Sequence, residues 1–338
     1  MIRMRKPDDF HLHIRQGELL PSYLADSAAA FGRALIMPNT VPPVNSAERL
    51  RQYAREIENA LPDGEGFTPL YTFKIAASID EAEFSRILDF GVSAGKYYPR
   101  GATTNAEDGV GDHRSIFPLL KLMEQADVVL CIHGEDPDAF VLDREKAFLP
   151  VLRDIREHFP DLRIVLEHIS TAAGIEAVRE LGDRTAGTIT VHHLMRNLDH
   201  LLGGFLNPHL FCKPVLKRPE DQEALVAAAF GGESRFFLGT DSAPHQRGQK
   251  ECDCGCAGTY TAPVAIPALY QFYRELPSIR GDDVEEFQAF TAERGADFYR
   301  LPRNESEISL ERRSWSVPSE YHGVVPFLAG QTLEWSIA

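Results

Sequence analysis

The feature that most constrains this chain is a rhythm. Short apolar runs, several of them rich in Val, Ile and Leu, alternate with segments whose apolar residues recur at helical spacing. The runs are "HLHIR" (11–15), "RALIMPN" (33–39), "FTPLYTFKIA" (67–76), "GVSAGKYYP" (91–99), "DVVLCIHGE" (127–135), "LRIVLEHIS" (162–170), "TAGTITVHH" (185–193) and "RFFLGTDSA" (235–243). Between the second and third, "NSAERLRQYAREIENAL" puts Leu50, Tyr53, Ala54, Ile57 and Leu61 at helical spacing, with Asn45 and Glu48 as a start signal. "SIFPLLKLMEQ" (115–125) and "TAAGIEAVRELG" (171–182) also read as helices, the latter ending at Gly182. Near-continuous apolar strands separated by helices indicate a parallel sheet covered on both faces. Eight such units predict an α/β fold of the (β/α)8 barrel type. An open doubly wound sheet fits less well. It usually carries a Gly-rich phosphate turn after its first strand, and "HLHIRQGELL" has a single glycine there. No Pro/Gly/Ser-rich linker divides the chain, so residues 1–338 are expected to form one domain. Its segment from about 265 to 338 is expected to supply late helices and a tail packed on the barrel.

Polar residues gather where these runs end. His11 and His13 mark the first, Asn39 the second, Lys96 the fourth, His133 the fifth and His168 the sixth. His192 and His193 end the seventh, and Asp241 the eighth, with His245 just beyond. Strand residues i and i+2 point the same way, so His11 and His13 project together. Barrel enzymes build their sites from the C-terminal ends of several strands. Imidazole with carboxylate suits zinc or a similar first-row ion. Four histidines plus Asp241 exceed what one catalytic zinc needs, whereas two ions would use them all.

The formal net charge of −15 over 338 residues argues against a nucleic-acid binder, which needs a basic face. An anionic small substrate would need a locally positive site within this acidic protein. The cysteines are Cys131, Cys212, Cys252, Cys254 and Cys256, an odd number with three crowded together, which is no secreted disulfide framework. No apolar run approaches the ~18–20 residues of a membrane span, and "MIRMRKPDDF" lacks the apolar core of a signal peptide. A cytoplasmic protein without membrane association is expected. The "ECDCGCAG" stretch invites a zinc-knuckle reading, but no second cysteine pair completes a tetrahedral site, and a glycine-bearing substrate loop fits better.

The motifs "HLHIR", "MPNT.PPV", "GKYYP.GATTN", "IHGE", "LEHIS", "HHL" and "GTDSAPH" occur in order, together with "CGCAG". This set resembles the bacterial-type dihydroorotases of the amidohydrolase superfamily, from about residue 4 to "VPFLAGQTLEWS". The resemblance implies two Zn²⁺ ions, other divalent first-row ions being possible. His11, His13 and Asp241 would hold the more buried ion, and His133 and His168 the second. Lys96 would bridge them as a carboxylated lysine, a carbamate made from CO₂. Lys74 competes for that role on position alone. Arg15, Asn39 and His245 would hold the substrate carboxylate, a planar guanidinium fork being suited to it. His13, His133 and backbone groups at Lys213 and Ala257 would complete the substrate contacts. Lys213 departs from the family, which carries an apolar residue there. Thr103 and Thr104 match a loop over the substrate, and His193 would support a ligand from behind.

The activity implied is reversible closure of N-carbamoyl-L-aspartate to (S)-dihydroorotate, a step of pyrimidine synthesis. A hydroxide bridging the two metals would attack the ring amide, with Asp241 as proton shuttle. A homodimer is the state usual for such relatives. Other readings are another cyclic amidase of hydantoinase or allantoinase type, and a non-catalytic relative acting as a scaffold.

Overall fold

In a computed structural model of the chain, which describes residues 1–61, 66–279 and 283–338, eight parallel strands form one sheet. They are β1 (Asp8–Leu12), β2 (Arg33–Ile36), β3 (Thr68–Lys74), β4 (Ala94–Tyr97), β5 (Val129–His133), β6 (Ile164–Glu167), β7 (Thr185–Ile189) and β8 (Phe236–Leu238). Their order in the sheet is their order in the chain. The sheet closes on itself just past β8, where Leu12 pairs in parallel with Ser242. The Asp241 amide donates to His11 O at 2.8 Å and the His13 amide to Ser242 O at 3.1 Å. These contacts join the first strand to the chain just beyond the last and bring the sheet round into a barrel.

A helix follows each strand before the next: Leu20–Ala30, Ala47–Ala60, Glu81–Leu88, Phe117–Gln125, Arg144–His158, Ala172–Glu180 and Pro219–Phe230, with Ala265–Glu275 after β8. The helix Ala47–Ala60 buries Ala47, Leu50, Tyr53, Ala54 and Ile57, one stripe at helical period. Its cap is Ser46, not Asn45: the Ser46 side chain accepts from the Arg49 amide at 3.3 Å. Asp80 and Thr171 cap their helices in the same way.

One apolar layer lies between sheet and helices. A second fills the barrel with Phe10, Leu35, Val129, Val165 and Phe237. Tyr299 stacks on Phe10 within this inner layer, ring centroids 4.8 Å apart. Arg33, the first residue of β2, donates to Pro302 O, and Arg163, just before β6, donates to Phe298 O, each at 2.7 Å. The 298–302 segment therefore crosses the N-terminal mouth of the barrel. The C-terminal mouth is left for chemistry.

Beyond that helix cap, the structure departs from the sequence reading in four places. β1 starts at Asp8 and ends at Leu12, so His13 and Arg15 lie beyond it. The register of β1 against β2 also shifts between Asp9 and Leu12. β7 ends at Ile189, and His192 and His193 ride on a short helix, Val191–Met195, capped by Thr190. The tail holds strands as well as helices: Glu307–Glu311 pairs with both Ile2–Arg5 and Ser336–Ile337 in a separate antiparallel sheet. Among the described residues no helix is long and apolar enough to cross a membrane.

Phe237 is fully buried and edge-on to both Phe10 and Tyr299. Phe237→Ala is expected to cost about 3–5 kcal/mol in urea denaturation. A loss under ~1 kcal/mol would show that the barrel interior collapses around the change.

Candidate metal centre and substrate pocket

At the C-terminal mouth, β1 and the turn after β8 bring His11, His13 and Asp241 together. Asp241 Oδ1 lies 3.0 Å from His13 Nε2 and 3.4 Å from His11 Nε2. The two Nε2 atoms are 3.4 Å apart. Behind them, His11 Nδ1 donates to Glu167 Oε2 at 2.9 Å. That bond selects the tautomer whose Nε2 lone pair faces Asp241. Glu167 is itself held by the Thr188 hydroxyl at 2.6 Å.

A second group stands beside the first. His133, the last residue of β5, turns Nδ1 toward His168 Nε2 at 3.1 Å, while its Nε2 donates to Glu135 Oε2 at 3.0 Å. The rings of His11 and His168 are 5.1 Å apart, which joins the two groups. Burial lowers the pKa of His133, and pushes His168 well below the ordinary imidazole value. Burial takes His13 down to about 4 despite the pull of Asp241. Burial would raise the Asp241 carboxyl, yet the His13 hydrogen bond and the nearby imidazoles hold it below its usual range. Neutral imidazoles beside a carboxylate are the donor set that a zinc-like dication takes.

Lys96 projects from β4 close by: its Nζ lies 5.4 Å from the centroid of Tyr98, a ring that lines the same pocket as these groups. Lys96 is fully buried and its Nζ has no hydrogen-bond partner among the described residues. Burial lowers its pKa. Lys74, the positional rival, is committed elsewhere: its Nζ donates to Asn105 O at 2.9 Å and pairs with Asp108. The orphaned amine, the converging imidazoles and Asp241 fit a metal-binding site.

Two of these residues carry strained backbone. His168 has φ +42° and Asp241 φ +47°, a region that non-glycine residues seldom enter. Each is tied down. The His168 amide donates to Thr188 Oγ1 at 2.6 Å. The turn after His168 is pinned by Glu145, which accepts from Ser170 N at 2.7 Å, Ser170 Oγ at 2.8 Å and Thr171 N at 2.9 Å. Gly239 carries no side chain where a Cβ would sit 2.9 Å from His11 Cβ, so β8 can close on β1 at that point.

The same pocket holds Arg15, Asn39, Thr103, Thr104, Lys213 and Ala257. Arg15 Nη2 donates to His245 Nε2 at 3.0 Å, and its Nε to Pro244 O at 3.3 Å. Accepting from a guanidinium requires a neutral imidazole. Burial and Arg15 together lower His245 to about 3. His245 thus braces Arg15 from the rim. Asn39 donates to Thr104 O at 3.3 Å, and Asn105 donates to Asn39 O at 2.9 Å, which draws the 103–105 loop over the pocket. Thr103, Thr104, Lys213 and Ala257 also line an outer cavity of about 1000 Å³. Its far wall includes Cys252, Cys254 and Cys256, so the cysteine-rich stretch is a loop at the mouth. All five cysteines are free thiols.

His192, His193 and Cys212 form another buried trio, with ligand atoms within 4.8 Å of one another. His193 Nε2 donates to Pro214 O at 3.1 Å and its Nδ1 accepts from Thr190 Oγ1 at 2.8 Å. Cys212 Sγ also donates to Pro214 O. With these atoms committed, His193 and Cys212 hold the 212–214 turn, which presents Lys213 to the pocket, while both ring nitrogens of buried His192 have no partner among the described residues. Sequence reasoning missed Glu135, Glu145 and Glu167. Glu135 stands two residues from its partner His133 in "HGE", whereas Glu167 neighbours His168 in "LEH" but accepts from distant His11. Glu145 carried no such signal.

Glu145→Ala strands the Ser170 and Thr171 amides in a buried place. It is expected to cost about 3 kcal/mol in urea denaturation. A loss below ~1 kcal/mol would show that the turn is held by other contacts.

No family model matches the chain. Curated relatives do. A dihydroorotase from Alcanivorax borkumensis is 45% identical over 345 residues, covering 99% of this chain and 98% of its own. Among solved structures, a dihydroorotase from Campylobacter jejuni superposes with TM-score 0.90 at 37% identity, covering 99% of this chain and 96% of that one. A Saccharomyces cerevisiae dihydroorotase in complex with 5-fluoroorotic acid superposes with TM-score 0.90 at 31% identity, covering 100% and 98%. Full-length identity and a shared closed barrel leave one assignment: the chain belongs to the dihydroorotase family of the amidohydrolase superfamily.

Proposed function

We propose that this chain interconverts N-carbamoyl-L-aspartate and (S)-dihydroorotate by opening and closing the ring amide. The observation that carries this reading is a single pocket with two chemically distinct sets of lining residues. One set is His11, His13, His133, His168 and Asp241, with the Lys96 amine buried against Tyr98 of the same lining; the other is Arg15 and Asn39. The first set suits a cyclic amide and the second a carboxylate, and dihydroorotate carries both.

Two dications would be held by His11, His13 and Asp241 on one side and His133 and His168 on the other, with carboxylated Lys96 shared between them. When bound they would supply Lewis acidity and lower the pKa of the attacking water. Everything else falls to the chain. Arg15 grips the substrate carboxylate with its planar fork, braced by His245. Asn39 offers an amide to the same group. Backbone groups at Lys213 and Ala257 face the rest of the ring. Thr103 and Thr104 close over it and exclude water.

In hydrolysis, water oxygen adds to the ring amide carbon while Asp241 accepts the proton. The carbon–nitrogen bond then breaks, its electron pair stays on nitrogen, and Asp241 returns the proton there. The product carries a free ureido group and a second carboxyl, which releases the other proton of the water to solvent as it ionises. Ring closure reverses each step. The reading includes a cytoplasmic homodimer, one domain per chain, acting on a small molecule without nucleic acid or membrane.

The test is ultraviolet-monitored hydrolysis of dihydroorotate by the purified full chain, before and after chelation and zinc restoration. Activity is expected to vanish on stripping and return with zinc. Asp241→Ala, reloaded with metal, is expected to lose at least ~10³-fold in kcat. Full activity of that variant would contradict the proton role. Turnover of hydantoin in place of dihydroorotate would move the assignment to another cyclic amidase.

A further inference from the structure

One buried hydroxyl in the pocket has no part in the scheme above. Tyr98 follows Lys96 by two residues, and it lines the inner pocket with His11, His133, His168 and Asp241. Alternation along an extended strand puts Lys96 and Tyr98 on the same, inward face. Tyr97 goes the other way and packs against Phe148 in the outer apolar layer, ring centroids 6.0 Å apart. Tyr98 is 2% exposed, and its hydroxyl has no hydrogen-bond partner among the described residues. A buried hydroxyl left unmatched costs roughly 1–3 kcal/mol, so packing alone gives no reason for tyrosine over phenylalanine here. The ring is fixed from several sides. Lys96 Nζ lies 5.4 Å from its centroid, Lys74 Nζ 5.8 Å, and the His133 ring 6.4 Å. The phenol therefore stands on the wall where the amide is expected to react, and it can donate one hydrogen bond.

Resting on the proposed reaction, we infer that Tyr98 is a further catalytic residue, whose phenol donates a hydrogen bond to the carbonyl oxygen of the ring amide as that oxygen gains negative charge. When the water oxygen adds to the carbon, the carbonyl π pair moves onto this oxygen. When the carbon–nitrogen bond breaks, the pair returns. The phenol keeps its proton throughout. A donor placed where charge develops favours the transition state over the ground state, so its loss falls on kcat rather than on KM.

The test is Tyr98→Phe in the full metal-loaded chain, which removes one oxygen and keeps the ring. The expected kcat for dihydroorotate falls on the order of a hundredfold, with KM within about threefold. Thermal midpoint, metal content and affinity for 5-fluoroorotate, a planar ground-state mimic, are expected to stay at wild-type values. A kcat within about threefold of wild type would overturn the inference. So would an equal loss of kcat and of 5-fluoroorotate affinity, which would make the hydroxyl a packing or ground-state group. Wild-type turnover in the same assay separates the two claims. With turnover present, an unimpaired Tyr98→Phe sinks only the role of Tyr98; with none, the proposed reaction falls and this role with it.

Discussion

An amine buried without a partner is the constraint around which this molecule is arranged. Lys96 sits inside the barrel, out of reach of solvent, and its Nζ has no hydrogen-bond partner among the described residues. Burial disfavours an ammonium in that setting and lowers the pKa of the group. A neutral amine can react with CO₂, and the resulting carbamate is an anion that wants cations close by. The residues around it are a match for that need: imidazoles held neutral by burial, and a carboxylate whose neighbours keep it ionised. Each part makes sense of the others.

Barrel closure and site assembly are one event. The hydrogen bonds that join β1 to the turn after β8 run through His11, His13 and Asp241 themselves. The strained backbone at His168 and Asp241 persists because the surrounding bonds overdetermine it. In a layer of buried carboxylates behind the site, Glu135 and Glu167 orient His133 and His11, and Glu145 pins the turn after His168. Loosening that layer would blur the positions of groups that must meet within a few tenths of an ångström.

Much of this was legible in the sequence, for a physical reason. Strands buried on both faces must be continuously apolar, so β2, β5, β6 and β8 stand out, and a polar residue at the end of such a run is conspicuous. The less regular places were harder. The register shift in β1 breaks the simple alternation used to pair His11 with His13, although both still reach Asp241. His192 and His193 look like a strand end, but Thr190 starts a helix turn there. Tyr98 passed unnoticed because an aromatic residue in an apolar run reads as core; only its spacing of two from Lys96 hinted at an inward face. A lysine's modification leaves no trace in composition at all.

The measurement that reaches the centre of this account is carbon-13 NMR of the metal-loaded protein equilibrated with labelled bicarbonate. A carbamate resonance is expected in the wild-type chain, absent from Lys96→Ala and lost when the metal is chelated. An active, metal-loaded wild-type protein that takes up no labelled carbon would contradict the account, because Lys96 would then lie buried for some other reason.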